Sequence, residues 1–312
     1  MIDAGWASVG FLLRGLFAIG HIEEQGGTRV ASEFSALRAG PMTAAAMTAF
    51  AANSLLCRIA LGAREIDAAS FTSIRALSGA VILSIFLLAR RSGFGDRKTD
   101  FRAVAALFAY MIFFSFAYIT LAAGTGALIL FGAVQLTMFA AALRQGERFS
   151  PLAWAGLALA IGGLVYLVSP GLAAPDPLGA GLMAVAGIAW GFYSLIGRGV
   201  TDPLAATARS FIFSVPLALL VSLAFWSEMT MSTRGLILAV LSGAVASGCG
   251  YVIWYAALPA LTAGRAATVQ LSVPVIAAIG GVLLLSEEAS LRLVLASVMT
   301  LGGVFIVLSR RN

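Results

Sequence analysis

The stretches ERFSPLAWAGLALAIGG (Glu147–Gly163) and EEASLRLVLASVMTLGG (Glu287–Gly303) lie 140 residues apart and share more than composition. Glu147 falls on Glu287, Ser150 on Ser290, and Gly162-Gly163 on Gly302-Gly303. Ala and Leu matches carry little weight in an apolar chain, whereas Glu-x-x-Ser followed at a fixed distance by Gly-Gly is hard to dismiss. The same shift, extended without a gap, pairs residues 41–171 with 181–311. Ser54-Leu55 meets Ser194-Leu195, Arg58 meets Arg198, and Ser70-Phe71 meets Ser210-Phe211. Ala123-Gly124 meets Ala263-Gly264, and Ser169 meets Ser309. The chain therefore divides into an extension, 1–40, a first repeat, 41–171, and a second repeat, 181–311.

Both repeats have the composition of a membrane interior. The chain of 312 residues is 60% hydrophobic and 11% charged, with a mean hydropathy of +0.98. A soluble domain of this length would need more charge on its surface. A spanning helix takes about 20 apolar residues, and ten segments qualify: 42–62, 68–90, 101–121, 124–143, 151–169, 178–199, 206–226, 235–257, 263–285 and 289–309. The connections are too short to hold a soluble domain. Cys57 and Cys249 fall inside spans and imply no disulfide framework. Residues 1–40 differ: Arg14 interrupts the first apolar run, no signal-peptide pattern is present, and the segment reads as a poorly ordered extension or a surface-lying helix.

Five spans per repeat is an odd number, so the second repeat must enter the membrane upside down. Charge gives independent support. The first repeat carries Arg90, Arg91, Arg97, Lys98, Arg102, Arg144 and Arg148 in two loops, and none of their shifted partners is basic. The second repeat instead places Arg198, Arg265, Arg310 and Arg311 on the other set of helix ends. The positive-inside bias puts both termini in the cytoplasm. It also accounts for the net charge of +6 without any nucleic-acid partner. The expected fold is an all-α polytopic membrane protein of ten transmembrane helices, built as two inverted five-helix repeats. Such repeats are a signature of carriers, with the substrate site near the midplane between them.

The chain resembles the drug/metabolite transporter superfamily, whose EamA-type members have ten spans in two five-span repeats. The resemblance is carried by Phe71-x-x-x-Arg75 in span two and by the small-residue start of span four, Gly124–Ala127. LRQGERFSPLAWAGLALAIGG (143–163) and LLSEEASLRLVLASVMTLGGV (284–304) carry it too. It covers residues 41–311 and implies a metabolite exporter of a bacterial inner membrane. The aromatic-rich interior is most similar to YddG-type exporters of aromatic amino acids. In the family the position near Gln135 is often proline; here only the second repeat keeps one, at Pro274, so a symmetric pair of kinks is not expected.

Candidate substrate contacts follow from what a membrane interior tolerates. All 14 acidic residues lie in loops, at span ends or in the extension, which also holds the one histidine, His21. A proton relay needs a buried carboxylate or histidine, so a facilitator working by alternating access is expected. Arg75 sits about 10 Å into span two. It either contacts a substrate carboxylate or, the stronger reading, snorkels or holds backbone carbonyls. Tyr110, Phe114 and Tyr118 share one face of span three; Tyr251, Trp254 and Tyr255 form a similar stripe in span eight. Trp190 and Tyr193 in span six match Phe50 and Asn53 in span one. Such stripes are often packing or interfacial belts, but their recurrence in both repeats favours a cavity lining. Gln135 and Gln270 add hydrogen-bonding groups or serve as interhelical glue.

In TVQLSVPVIAA (Thr268–Ala278), Pro274 deprives the carbonyl of Gln270 of its helical donor. That group needs protein or water, so span nine is expected to kink where it faces the pathway. Pro216 in span seven is a second candidate hinge. Spans five and ten, with Gly-Gly pairs and few polar groups, are assigned to packing or a homodimer contact. Aromatic walls with Gln, Asn and Tyr suit neutral and aromatic amino acids. A multidrug exporter generally needs a membrane-embedded carboxylate, and a sugar-phosphate carrier a basic cluster. No GxSxG, HExxH, aspartate pair or Cys/His constellation is present, so neither an enzyme, a metal nor a cofactor is expected. A non-transporting membrane scaffold has only short loops to offer a partner.

Overall fold

The computed structural model describes residues 28–90, 98–171 and 173–309. His21, Arg91, Arg97, Arg310, Arg311 and most of the extension lie outside the described residues. Ten helical segments follow one another: α1 (Thr28–Gly62), α2 (Ala68–Ala89), α3 (Phe101–Ala117), α4 (Ala123–Arg144) and α5 (Pro151–Val168). The second set is α6 (Pro177–Ile196), α7 (Pro203–Ala224), α8 (Thr233–Ala260), α9 (Gly264–Leu285) and α10 (Leu291–Ser309). Nine are long and apolar enough to cross a membrane; α3, at 17 residues, is shorter. α3 ends before the expected 121 because Tyr118 leaves helical geometry and the chain turns back into α4. α1 is continuous through Pro41 back to Thr28, so residues 28–40 extend the first spanning helix. Among the described residues the one β feature is an isolated bridge between Ile66 and Met231.

Helix starts are written in short polar residues just before the apolar runs. Ser150, Asp176 and Asp202 each accept from the amide three residues on and are each followed by proline at the first helical position. Asp67 and Ser232 cap α2 and α8 the same way. The two stretches that reveal the repeat enter through one turn used twice. Gly146, with φ of 81°, and Ser286, with φ of 54°, occupy equivalent positions in the left-handed region, immediately before Glu147 and Glu287.

The packing order carries the repeat into three dimensions. α2 packs on α7, α4 on α9 and α5 on α10; the contact of α3 with α6 is matched by α8 with α1, and that of α4 with α6 by α9 with α1. Exchanging each helix with its counterpart five later returns the same set. Thr300 Oγ1 lies 3.5 Å from the carbonyl of Ala160, its own equivalent, so this pair sits on the pseudo-twofold axis. Gly156 and Gly163 of α5 face Gly303 and Thr300 of α10 so closely that an added Cβ would strike backbone. The small-residue faces of α5 and α10 are thus spent on each other. Outside, Leu88, Leu178, Leu220, Leu283, Leu284, Leu291 and Val298 are 62% to 75% exposed, the surface expected of a protein solvated by lipid.

Candidate substrate pathway

At one end of the bundle the two repeats part around a vestibule of about 1020 Å³. Its mouth is set by Lys98 and Asp100 before α3, Arg198 after α6, Arg209 in α7 and Gly264 at the start of α9. Gln135 and Gln270 lie on its walls with Trp254. Thr207 of α7 joins two wall tyrosines: Tyr193 Oη donates to Thr207 Oγ1 at 3.0 Å, and Thr207 Oγ1 lies 2.9 Å from Tyr255 Oη. Tyr255 stacks on Tyr251, ring centroids 5.8 Å apart. At Gln270 the α9 helix is interrupted as Pro274 requires: regular geometry stops at Gln270 and resumes at Ser272. Ser272 Oγ donates to the carbonyl of Val269 at 2.7 Å, so a side chain covers one of the acceptors at the break.

Phe50, Trp190 and Tyr251 form the floor of the vestibule and also the roof of a second, smaller chamber of about 20 Å³. That is room for roughly one water or the head of a small polar group. Asn53, Ser54, Arg75, Tyr110, Phe114 and Ser247 line it. Ser242 Oγ donates to Asn53 Oδ1 at 2.6 Å, Asn53 Nδ2 to Tyr110 Oη at 3.3 Å, and Arg75 Nη2 to the same oxygen at 2.9 Å. Tyr110 stacks on Trp190, centroids 5.3 Å apart and planes 24° apart. The Arg75 guanidinium carbon lies 5.2 Å and 4.9 Å from the Tyr110 and Phe114 centroids. Behind it α8 runs as a π-helix over Leu241–Cys249 and lays Gly243 against the Arg75 carbonyl.

Beyond the chamber the opposite end is shut. Tyr118 packs edge-on against Phe114 at 4.8 Å and donates to the carbonyl of Ala123 at 3.2 Å. Arg58 pairs with Glu287 at 3.2 Å and donates to the carbonyls of Tyr118 and Ile119 at 3.3 Å and 3.1 Å. Glu287 in turn accepts from the Ala123 amide at 2.9 Å, capping α4 from across the repeat boundary. Around this pair, Asp67 and Glu65 of the first repeat hold Thr230 and Ser232 of the second through backbone bonds of 3.0 Å and 2.7 Å. Vestibule, aromatic partition, Arg75 chamber and polar seal thus follow one another through the bundle.

Matched to known families, residues 39–169 and, separately, 177–309 each correspond to the EamA-like transporter family. The chain belongs to that family. It is 50% identical over 270 residues to an uncharacterized protein of Pseudomonas aeruginosa, covering 86% of this chain and 94% of that one. It is 24% identical over 258 residues to an uncharacterized transporter of Archaeoglobus fulgidus, covering 80% and 91%. A solved crystal structure shares the fold with a TM-score of 0.61 at 19% identity, covering 86% of this chain and 97% of that one. This EamA protein is therefore a membrane transporter and not an enzyme.

In this EamA chain the twelve side chains singled out from sequence are distributed over the vestibule, the chamber and the seal. Asn53, Arg75, Tyr110 and Phe114 line the chamber; Gln135, Tyr193, Trp254, Tyr255 and Gln270 line the vestibule; Trp190 and Tyr251 line both. Tyr118 lines neither and belongs to the seal. Pro274 is buried at the α9 break, whereas Pro216 is exposed on the outer face of α7. Thr207, Ser242, Ser247 and Arg58 were not singled out as pathway residues. Thr207, Ser210 and Ser214 recur at helical spacing, a polar stripe that points to Thr207. The Arg58–Arg198 and Glu147–Glu287 matches were visible, but nothing in one sequence shows that an Arg of α1 meets a Glu after α9.

Proposed function

We propose that this protein carries neutral amino acids, aromatic ones above all, out of the cytoplasm by alternating access. The observation that carries the reading is the vestibule narrowing onto Trp190, Tyr251, Trp254 and Tyr255, with Gln135 and Gln270 on its walls. Those rings offer stacking faces and cation–π contact for an ammonium, and the glutamines offer donors and acceptors. The mouth carries Lys98, Arg198 and Arg209, and the positive-inside bias supports reading it, with both termini, as facing the cytoplasm of a bacterial cell. The arrangement is then inward-open. Its counterpart follows from the repeat: opening Arg58–Glu287 and bringing Arg198 toward Glu147 exchanges the two ends.

Transport runs as facilitation down the substrate gradient. Among the described residues no Asp, Glu or His lies inside a candidate span, so none is placed to relay protons across the membrane. Asp100 at the mouth is held below the usual carboxylate range by its hydrogen bond with Arg102 and stays ionised through neutral pH. The test is uptake of labelled phenylalanine or tryptophan into proteoliposomes, without ion gradients and then with an imposed pH gradient. Equilibrating uptake that other neutral amino acids compete and the gradient leaves unchanged is expected. Concentrative uptake that appears only with the gradient contradicts facilitation, and absence of competition by neutral amino acids contradicts the substrate class.

A further inference from the structure

Arg75 is a buried cation that, among the described residues, forms no ion pair. It is 1% exposed, and among the described residues Nε and Nη1 have no hydrogen-bond acceptor. Its position about 10 Å into α2 and its burial rule out snorkelling. Nor, among the described residues, does its side chain hold backbone carbonyls: the guanidinium donates to Tyr110 Oη. The rings of Tyr110 and Phe114 attract the guanidinium, but a ring face is a weak substitute for hydration. A polar network (Ser242, Asn53, Tyr110) locks the aromatic neighbour and leaves three N–H donors, those of Nε and Nη1, unpaired and buried on a side chain that lines a cavity. The cavity is about 20 Å³, room for roughly one water, so a larger polar group enters only when the aromatic partition moves.

We propose that the chamber is a carboxylate subsite: the carboxylate of the transported molecule accepts from Arg75 Nε and Nη1 while its apolar body stays among the vestibule rings. This rests on the carrier reading above and narrows it, since amines and amides lacking a carboxylate are excluded as good substrates. Entry requires the partition to move. Trp190 closes the chamber while stacked on Tyr110, so a carboxylate reaching Arg75 displaces the indole and converts binding into a change at the repeat interface. Asn53, Ser54 and Ser247 add polar groups beside Arg75 that can help solvate a bound carboxylate.

The test is titration of the purified full chain with phenylalanine, 3-phenylpropionate, phenylalaninamide and sodium chloride, read by thermal shift and tryptophan fluorescence. Phenylalanine and 3-phenylpropionate are expected to bind at least about tenfold more tightly than the amide. Arg75→Gln is expected to abolish that difference, and Arg75→Lys to restore part of it. Equal binding of acid and amide by the wild-type chain overturns the proposal, whether or not Arg75→Gln folds. So does a response that chloride reproduces and saturates, which makes Arg75 the holder of a structural counter-ion, and so does the absence of any response. Acid-selective binding without flux in proteoliposomes sinks the carrier reading and leaves the subsite standing. Flux that does not distinguish acid from amide sinks the subsite and leaves the carrier.

Discussion

Gly243 sets how closely α8 approaches α2, and with it the wall behind Arg75. A Cβ at this position would overlap the Arg75 carbonyl and Ser78 Oγ; the hydroxyl can rotate away, but the carbonyl cannot retreat without moving the α2 backbone. Gly243→Ala is therefore expected to lower stability by about 1–3 kcal/mol, seen as a lower melting temperature in detergent. Gly302→Ala is the control: nothing lies within 4 Å of the added carbon, so the change should be neutral or slightly stabilising. Arg75 shows the limit of single-residue reading. Its type and depth marked it as unusual, but snorkelling, carbonyl holding and ligand contact differ in side-chain direction and partners, which one sequence does not encode. The π-helical stretch was equally hidden, because LSGAVASGC has small residues suited to close packing in any helical register.

At the scale of elements, most boundaries were legible because each physical signal is local. Apolar length sets the spans; Asp or Ser followed by Pro sets three helix starts; Pro274 sets the interruption at Gln270. The third span was read too long because the backbone turn at Tyr118 lies within apolar sequence and leaves no mark. The α9 break has a consequence for function. Pro274→Ala is expected to restore the missing helical bond, leave the melting temperature unchanged or higher, and slow phenylalanine flux several-fold if the break serves the conformational change. Flux at the wild-type rate would make the break a passive feature. The seal is a second element-scale device. Glu287→Gln keeps an acceptor for the Ala123 amide but loses the ion pair with Arg58, whose side chains are 14% and 26% exposed. Loss of about 1 kcal/mol should speed modification of a Ser54→Cys reporter, in a background without Cys57 and Cys249, by about fivefold. The reagent is an impermeant thiol probe applied from the sealed side.

Across the whole molecule, the repeat is the feature that sequence and structure express most fully. Matches such as Glu147 with Glu287 foretold a twofold packing order, and residues 140 apart touch at Ala160 and Thr300. Which end would be open was not legible. Both conformations of a carrier have the same sequence, and the two ends differ only in which equivalent residues are in contact. Here Arg58 holds Glu287, while among the described residues its equivalent Arg198 faces the vestibule with Met138 Sδ at 4.0 Å. Alternating exposure is the central claim, and the bridge between Ile66 and Met231 offers a way to hold one end shut. Opposed residues of an antiparallel bridge lie within disulfide reach, about 4.5–5.5 Å between Cα atoms. The decisive measurement is counterflow of labelled phenylalanine in proteoliposomes carrying the Ile66→Cys, Met231→Cys protein, oxidised and then reduced. Flux lost on oxidation and recovered on reduction is predicted; flux that persists through the oxidised lock would contradict an account in which this end must open.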